Sequence, residues 1–440
     1  MYKNVTTEWA ETLPTGWKAV PLKRLLENGS MKVGPFGSQL SGNDFKDEGY
    51  WVYNQRVIVD ENFSDNVVFV DASKYNSMRA FHVHAGDILV TTRGTIGRIC
   101  QIPMNYHKGI IHPCVIKFRL SEKGIPFSVL KHIFNESNIV KDQLLFLSNA
   151  TTIDVIYSGT LKDIKIPVPP RNIQKKISAL LDSKCSEIDT ISADIQKEIE
   201  TLERYKRSVI TEAVTKGLNP NVEMKDSGIR WIGAIPKDWN ISRLKYVAKF
   251  FNGDRGKNYP SGEDLTDDGI AFLTSNNIHG LILDCSHEKS KFITEERYNH
   301  LGGAKIQLND IVFCLRGSVG NCAINKSLTK GTVASSLMTI RPIKASPDFI
   351  NYVLQTDVCE VQTIKAMNGS CAANLSAENV SNYYFVEPPV TEQKKIAAFL
   401  DSKCSEIDTI ISSKQHQLEI LASYKKSLIY EYVTGQKEVI

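Results

Sequence analysis

Two short turns bounded by glycines carry side chains that are suited to nucleic-acid recognition. Residues 93–97 read Arg-Gly-Thr-Ile-Gly, and residues 316–320 read Arg-Gly-Ser-Val-Gly. Arginine can donate two parallel hydrogen bonds to a guanine edge, and Thr or Ser can reach a base or a phosphate. We expect each turn to join two strands tightly, with the glycines supplying positive φ angles. The pattern fits an arginine presented to DNA, and it also fits a structural turn whose arginine forms an ion pair.

Other loops in both halves of the chain combine amide, hydroxyl and basic side chains in the same way. Residues 34–39 read Gly-Pro-Phe-Gly-Ser-Gln, residues 53–56 read Tyr-Asn-Gln-Arg, and residues 274–277 read Thr-Ser-Asn-Asn. Because polar loops are common in proteins, the prediction concerns these loops more than any single side chain. The residues that we expect at a DNA interface are Lys32, Ser38, Gln39, Asn54, Gln55, Arg56, Arg93, Thr95, Thr151, Thr152, Arg255, Lys257, Ser275, Asn276, Asn277, His279, Arg316, Ser318, Asn368 and Ser370.

The sequence contains no motif that would let this chain catalyse a reaction. It has no GxxxxGK[ST] phosphate-binding loop, since Gly256-Lys257 is followed by Asn258. It also lacks the Asn/Asp-Pro-Pro-aromatic tetrapeptide of amino-methyltransferases, because its two Pro-Pro pairs stand in VPPR and EPPV. The Asp and Glu residues form no cluster typical of a nuclease. We therefore expect a protein without catalytic residues, bound cofactor or metal ion of its own.

Composition places the chain among ordinary globular proteins. With 440 residues, of which 42% are hydrophobic, it suits two or more domains. Its formal charge of +4 is weakly basic, so any DNA-binding surface must be local. The nine cysteines include no CxxC pair, which predicts neither a zinc site nor a disulfide framework and favours a reducing cytoplasm. We expect no signal peptide and no membrane span.

A long internal repeat organises the whole chain. Residues 176–191 read KISALLDSKCSEIDTI and residues 395–410 read KIAAFLDSKCSEIDTI, so 14 of 16 positions are identical at an offset of 219. A fainter repeat at offsets of 222 and 223 relates the rest of the two halves, including the two glycine-bounded turns. This duplication predicts the order globular part, helix, globular part, helix, with an internal pseudo-twofold relation. The helices are nearly identical and the globular parts are not. This contrast indicates that the two helices share one task, whereas the two globular parts perform different ones.

The repeated segments have the pattern of long amphipathic helices. Apolar residues recur at spacings near three and four in a stretch without Pro or Gly from 172 to 216, with Asn172 and Thr391 as expected N-caps. Two arrangements remain open: each helix could pack on its own globular neighbour, or the two helices could pair as an antiparallel coiled coil, which we favour. Cys185 and Cys404 lie on the apolar side and are expected in a core. The side chains that we expect at partner-binding positions of the helices are Ile177, Leu181, Ile188, Ile195, Tyr205, Ile396, Leu400, Ile407, Leu418 and Tyr424.

The globular parts are predicted to be α+β domains with twisted, partly barrel-like sheets. Runs of β-branched and aromatic residues between turn residues predict strands at 51–59, 67–70, 87–92, 98–102 and 114–120, and at 246–251, 270–274, 310–315 and 336–341. Single helices are expected near 127–146 and 348–366. The predicted boundaries are 1–168 for the first domain, 169–218 for the first helix, 219–387 for the second domain and 388–440 for the second helix.

Taken together, these features resemble the specificity subunit of type I restriction–modification systems. The resemblance covers the full chain and is carried by the helices with their Pro-Pro entries, by the TLPTGW and AIPKDW openings, by the VGPFGSQL loop and by the two RGTIG/RGSVG turns. It implies two target-recognition domains that each read one half of an asymmetric, two-part site in double-stranded DNA. It also implies that the helices hold these domains apart and dock two modification subunits.

The same resemblance assigns the chemistry to other subunits. The modification (methyltransferase) subunits would carry S-adenosylmethionine and methylate adenine, and a restriction subunit would add ATP- and magnesium-dependent translocation and cleavage. This chain would then be a non-catalytic subunit. Two alternatives stay open on the sequence alone: an orphan sequence-specific DNA-binding protein without enzymatic partners, and a coiled-coil scaffold that binds only proteins.

Overall fold

The computed structural model describes residues 8–36, 38–63, 67–122, 124–148, 155–256, 259–367 and 375–439. The chain divides into two compact units. The first comprises Met1–Ile195 with His416–Ile440, and the second comprises Gln196–Gln415. Both boundaries fall inside a long helix, so each unit contains part of both helices, whereas the sequence prediction gave the helices segments of their own.

The first unit is built on two four-stranded sheets. One has the strand order β2-β9-β6-β7 and is antiparallel throughout; the other has the order β3-β5-β4-β8, in which only β4 and β8 are parallel. The strands β1 and β10 form a separate antiparallel pair. The strands of this unit are β1 (Lys18–Pro21), β2 (Lys32–Val33), β3 (Phe45–Lys46), β4 (Tyr50–Tyr53), β5 (Val68–Val70), β6 (Ile88–Thr91), β7 (Ile99–Gln101), β8 (Gly109–Ile111), β9 (Val115–Phe118) and β10 (Lys165–Val168).

The second unit repeats these sheets strand for strand. Its four-stranded sheets have the orders β14-β21-β18-β19 and β15-β17-β16-β20, the latter again with one parallel pair, β16 and β20. The duplication seen in the sequence is therefore a duplication of the fold, and neither sheet pair closes into a barrel within the described residues. The strands are β11 (Met224–Asp226), β12 (Ala234–Pro236), β13 (Asn240–Arg243), β14 (Ala248–Asn252), β15 (Leu265–Thr266), β16 (Ile270–Leu273), β17 (Lys291–Ile293), β18 (Ile311–Cys314), β19 (Cys322–Ile324), β20 (Gly331–Val333), β21 (Leu337–Pro342) and β22 (Tyr384–Glu387).

Two long helices and a set of shorter ones complete the units, which confirms the α+β class. No helix in the described ranges is long and apolar enough to cross a membrane. The helices are α1 (Glu8–Glu11), α2 (Gln55–Asp60), α3 (Ala72–Ser77), α4 (Phe127–Asn135), α5 (Ile139–Ser148), α6 (Ser158–Asp163), α7 (Arg171–Lys216), α8 (Leu244–Val247), α9 (Glu295–His300), α10 (Pro347–Leu354), α11 (Asp357–Met367), α12 (Ala377–Ser381) and α13 (Val390–Val433).

Several local predictions were wrong in detail. The strand predicted at 51–59 stops at Tyr53, because the Asn54 side chain accepts hydrogen bonds from two backbone amides and starts helix α2. Each predicted single helix is two helices, α4 with α5 and α10 with α11. Asn172 and Thr391 are not N-caps, since α7 and α13 already begin at the residue after each Pro-Pro pair.

Both apolar cores include side chains from the long helices. In the first unit Ile177, Leu181 and Cys185 of α7 pack with Ile429 and Val433 of α13 against the sheet residues of that unit. In the second unit the C-terminal part of α7 and the N-terminal part of α13, which carries Cys404, do the same. Cys185 and Cys404 are buried, as predicted for core residues.

Each unit contains a buried aspartate, next to a strand of its all-antiparallel four-stranded sheet, that forms hydrogen bonds with an arginine. Asp310, which is 1% exposed, accepts hydrogen bonds from Arg341 Nε at 2.8 Å and Nη2 at 2.7 Å, and from the Gln307 amide at 2.8 Å. Asp87 occupies the equivalent place in the first unit and bonds to Arg119. A bidentate arginine–carboxylate pair with a further amide donor satisfies a buried charge that would otherwise be costly.

Removing this carboxylate should destabilise the fold. We expect Asp310→Ala to lower the free energy of unfolding by about 2–4 kcal/mol, because Arg341 and the Gln307 amide lose their acceptor. Urea unfolding followed by circular dichroism measures the loss, and Asp267→Ala, at an exposed aspartate of the same unit, is the matched control. Equal midpoints for the two variants would contradict the assignment.

Candidate nucleic-acid interface

Four loops of the first unit meet at one end of its two sheets. They follow β2, β4, β6 and β8, and comprise the described residues 34–36, 38–39, 54–56, 92–97 and 112–114; together they are called loop cluster 1. Backbone hydrogen bonds join them: His112 N donates to Tyr53 O at 3.0 Å, Thr92 N to Cys114 O at 3.0 Å, and Gly34 N to Val115 O at 2.8 Å. The sheets therefore position these loops through the backbone.

One glycine makes the close approach within loop cluster 1 possible. A Cβ atom on Gly34 would lie 2.1 Å from the carbonyl oxygen of His112, a distance that no side chain can tolerate. Glycine is thus required where the loop after β2 touches the loop after β8. Pro35 and Phe36 follow Gly34 in the same loop.

The turn at residues 93–97 has the predicted form. It connects the antiparallel strands β6 and β7, and Gly94 and Gly97 have φ angles of 63° and 76°. The Gly97 amide donates to Thr91 O at 2.9 Å, which closes the turn. Arg93 and Thr95 are exposed at its tip. In the second unit Gly317 and Gly320, with φ angles of 75° and 92°, form the equivalent turn and leave Arg316 and Ser318 exposed.

Two polar side chains of loop cluster 1 form hydrogen bonds that stabilise the loops themselves. The side chain of Gln55 donates to the backbone oxygen of Arg93 and so ties the loop after β4 to the turn after β6. Asn54 accepts from the amides of Arg56 at 2.9 Å and Val57 at 3.2 Å. Arg56 remains exposed, and its Nε lies 3.5 Å from Oδ2 of Asp60, one helical turn away. An exposed pair of this kind contributes little, so the guanidinium can exchange this partner for a phosphate or a base.

The loop after β2 exposes an aromatic ring that was not on the list of predicted contacts. Phe36 is 75% exposed, while its backbone amide donates to Gln39 Oε1 at 3.2 Å and the Gln39 amide donates to Phe36 O at 2.7 Å. The Gln39 oxygen therefore shapes the turn. The Gly-Pro-Phe-Gly sequence itself was the available signal, since a phenylalanine between turn residues has no strand or helix to bury it.

The second unit has the equivalent loop cluster 2, formed by residues 253–256, 274–279, 315–320 and 334–336. Ala334 N donates to Leu273 O at 2.8 Å and Leu315 N to Ser336 O at 2.8 Å. Gly253 replaces Gly34, since a Cβ atom there would lie 2.4 Å from Ala334 O. Residues from the prediction that are exposed in this cluster are Arg255, Ser275, Asn276, His279, Arg316 and Ser318.

Asn277 is not available for a DNA contact, which corrects the prediction. Its side chain is fully buried; Oδ1 accepts from the Thr274 amide at 2.8 Å and Nδ2 donates to Asp284 O at 2.9 Å. Lys32 and Ser38 are exposed in the first unit. The predicted residues Thr151, Thr152, Lys257, Asn368 and Ser370 lie outside the described residues.

The predicted partner-binding positions of the helices separate into three groups. Tyr205 and Tyr424 are 57% and 52% exposed, and Ile195 and Leu418 are half-buried. The other six are buried in the chain's own structure, so direct contact with a partner was a wrong prediction for them: Ile177, Leu181, Ile188, Ile396, Leu400 and Ile407. Their apolar spacing identified a buried stripe, and spacing alone does not say what covers a stripe.

Ion pairs link the two long helices inside each unit. In the first unit Lys425 Nζ lies 2.8 Å from Asp189 Oδ1. In the second unit Lys206 Nζ lies 2.6 Å from Asp408 Oδ2, and Lys414 pairs with Glu198. Lys206 and Lys425, and likewise Asp189 and Asp408, are equivalent residues of the repeat at an offset of 219. The same lysine–aspartate contact thus occurs once in each unit, with the roles of the helices exchanged.

Comparisons with known proteins all find similarity to specificity subunits of type I restriction systems. A family model described as type I restriction modification DNA specificity domain matches residues 16–201 and 236–420. The type I restriction enzyme MjaVIII specificity subunit of Methanocaldococcus jannaschii is 25% identical over 340 residues, covering 73% of this chain and 76% of that protein. The putative type I restriction enzyme MjaX specificity subunit of the same organism is 25% identical over 444 residues, covering 97% and 95%.

More distant similarities point the same way. The type I restriction enzyme EcoBI specificity subunit of Escherichia coli is 22% identical over 302 residues, covering 66% of this chain and 62% of that protein. A solved chain from work on complex assembly and conformational transition of the type I R-M system superposes with a TM-score of 0.70, covering 97% of this chain and 99% of that one. At 14% identity, this last likeness shows a shared fold.

Proposed function

This chain belongs to the type I restriction modification DNA specificity domain family, and on that premise we propose that each loop cluster reads one half of a two-part DNA site. The chain acts as a specificity subunit: it selects the sequence and leaves catalysis to other subunits. S-adenosylmethionine, ATP and magnesium would be bound by those modification and restriction subunits. The target is double-stranded DNA, whose bases can be told apart in the major groove.

One observation carries the two-half assignment. The two units share the same sheets and the same positioning glycines, yet the side chains that their loops expose differ. Loop cluster 1 offers Arg56 after β4, where loop cluster 2 offers Ser275 and Asn276, while Arg93 and Arg316 are alike. Equal scaffolds with unequal donors are what two readers of different half-sites require.

We infer that α7 and α13 form an antiparallel coiled coil that fixes the separation of the half-sites. The exchanged lysine–aspartate pairs, Lys425 with Asp189 and Lys206 with Asp408, support this arrangement. Helix α7 has 46 residues, which corresponds to about 69 Å at 1.5 Å per residue. A fixed separation of two readers selects a fixed spacing of half-sites, as it does in dimeric DNA-binding proteins.

Two copies of the modification subunit would dock on the repeated surface of the helices. Tyr205 and Tyr424 are equivalent residues at an offset of 219, and both are exposed, as are Ile191 and Ile410. Exposed tyrosines and isoleucines on a polar helix surface are typical of an interface, in which tyrosine often contributes most of the affinity. An orphan DNA-binding protein would have no use for the same patch twice, so this observation favours a subunit with partners.

Exchanging one globular part tests the central proposal. When residues 1–168 are replaced by those of a relative, one half of the methylated motif should change and the other half should stay, since the loops of residues 1–168 contact only one half-site. Sequencing that detects methyladenine in cells carrying the complete system measures the motif. The reciprocal exchange of residues 219–387 serves as the control. A change in both halves after a single exchange would refute the assignment.

Alanine substitution of the exposed arginines tests the loop clusters. We expect Arg56→Ala, Arg93→Ala and Arg316→Ala to weaken DNA binding, by about 1–3 kcal/mol with relaxed preference at one position where the arginine contacts a base. An arginine that contacts phosphate should instead reduce the salt slope by about one. Binding titrations at several salt concentrations measure both effects, with Arg204→Ala on α7 as the control. Unchanged binding of all three variants would mean that these turns are structural only.

The docking surface has its own test. The double variant Tyr205→Ala with Tyr424→Ala should weaken association with the modification subunit by about 2 kcal/mol or more, roughly 30-fold, because an exposed aromatic anchor is lost at each site. Co-purification and calorimetric titration measure it. Glu200→Ala with Glu419→Ala, another exposed pair related by the same offset, is the matched control. Full association of the tyrosine variant would place the interface elsewhere.

A further inference from the structure

A mixed cluster of imidazole, thiol and carboxylate lies in the first unit between α4 and α7. One ligand atom each from His132, Glu136 and Cys185 lies within 4.8 Å of the other two. His132 and Cys185 are buried and Glu136 is half-buried. His132 lies in the last turn of α4, and Glu136 is the residue that directly follows the helix, with its carboxylate close to the His132 ring. Cys185 approaches them from α7.

The imidazole is held in an orientation that suits a metal ligand. His132 Nε2 lies 3.0 Å from Asp182 Oδ1, and Nδ1 lies 3.3 Å from Glu136 Oε2. A histidine that binds a metal through one ring nitrogen commonly donates a hydrogen bond from the other to a carboxylate. Asp182 is placed for that second role, which leaves Nδ1 on the side of Glu136. Ser178 Oγ donates to Asp182 Oδ2 at 3.2 Å and restrains this carboxylate.

An ion could reach the cluster from solvent. An open cleft of about 480 Å³ is lined by His132, Glu136, Asp182, Cys185 and Asp189, among others. The side chain of Asp182 is 56% exposed, so solvent reaches the carboxylate that contacts His132. One nitrogen, one sulfur and one carboxylate oxygen, with room for a water, match the ligand types and the number of ligands that zinc prefers.

The second unit shows which of these residues the fold does not need. Asp182 and Cys185 recur there as Asp401 and Cys404. At the equivalent places on α10, however, Tyr352 stands for His132 and Thr356 follows the helix in place of Glu136. The Tyr352 hydroxyl donates to Asp401 Oδ1 at 2.7 Å, and the junction is complete without imidazole or a second carboxylate. The combination of His132, Glu136 and Cys185 thus has no counterpart at the equivalent positions of the second unit.

The side chains of the cluster also interact with one another and with one lysine. Burial disfavours the charged imidazole, but hydrogen bonds with Cys185 and Glu136 and the charge of Glu136 raise the pKa of His132 to about 10. Burial also acts to raise the pKa of Glu136, but His132 and Lys425 lower it to about 2. Lys425 Nζ lies 3.2 Å from Glu136 Oε2 and 2.8 Å from Asp189 Oδ1, so it keeps a partner when a metal takes Glu136.

We propose that His132, Glu136 and Cys185 form a binding site for one divalent transition-metal ion of the zinc class, which links α4 to α7 in the first unit. Asp182 orients the imidazole, and a water completes the coordination. This site does not depend on the proposed function, because it requires neither DNA nor a partner subunit.

Cobalt titration of the metal-free full-length chain tests the site. Cobalt(II) reports its ligands by colour: bound thiolate gives an intense near-ultraviolet charge-transfer band, and a tetrahedral site gives visible absorption. We expect one equivalent of cobalt to produce both signals, and zinc to abolish them by displacement. Absence of a thiolate band at one equivalent overturns the proposal.

Variants that copy the second unit make the test specific. His132→Tyr with Glu136→Thr introduces side chains that the equivalent junction already accommodates, so folding should persist while affinity falls more than about 100-fold, beyond the loss expected for an outer-sphere change. Cys185→Ser should abolish the thiolate band, and Cys404→Ser, at the equivalent position of the second unit, should leave it intact. Cobalt binding by the double variant at wild-type affinity overturns the site.

Proton release gives an independent readout. Metal binding must displace the protons of His132 and Cys185, beside Glu136, Asp182, Asp189 and Lys425. The apparent affinity should therefore rise by about ten- to a hundredfold per pH unit between pH 6 and 8, in proportion to the one or two protons released. A pH-independent affinity would mean that neither group is a ligand.

Discussion

Each compact unit depends on both long helices to complete its apolar core. Ile177, Leu181 and Cys185 of α7 are 0–4% exposed in the first unit, where Ile429 and Val433 of α13 pack in the same core. The second unit uses the other part of each helix. Burying an isoleucine or leucine side chain contributes about 1.5–3 kcal/mol, so a handful of such residues exceeds the net stability margin of a typical domain. Each unit therefore needs residues from one part of α7 and from one part of α13.

This dependence gives a physical reason for the contrast between the two parts of the repeat. The helical segments keep 14 of 16 residues, and their side chains are buried in the two cores, ion-paired between the helices or exposed at equivalent positions of the repeat. The exposed arginines of the loop clusters, Arg56, Arg93 and Arg316, are not buried in either core. The positions of the loops are set by backbone hydrogen bonds and by Gly34 and Gly253, so their exposed side chains can change without moving the scaffold. The backbone of the loops is therefore positioned by one set of residues, and the hydrogen-bonding side chains that face solvent belong to another.

The junction between α4 and α7 shows the same separation at a smaller scale. Asp182 and Cys185 have exact counterparts in the second unit, whereas His132 and Glu136 do not. The identical helix residues accept a charged imidazole in one unit and a tyrosine hydroxyl in the other. Substitutions at the positions of His132 and Glu136 can therefore change the chemistry of this junction while the residues of the long helix stay the same.

Local pattern in the sequence determined the duplication, the two long helices, the glycine turns at 93–97 and 316–320 and the loops that the sheets bring together, because these depend on composition and on spacings of a few residues. It also carried the resemblance that the family model supports. Tertiary structure alone decided that Asn277 is buried while Asn276 is exposed, and that Ile177 lies in a core while Tyr205 faces solvent. His132 and Asp182 meet across 50 residues of sequence. Periodicity tells which side chains share a face, but burial and hydrogen-bond partners depend on distant segments that cover that face, and only the folded chain brings those segments together.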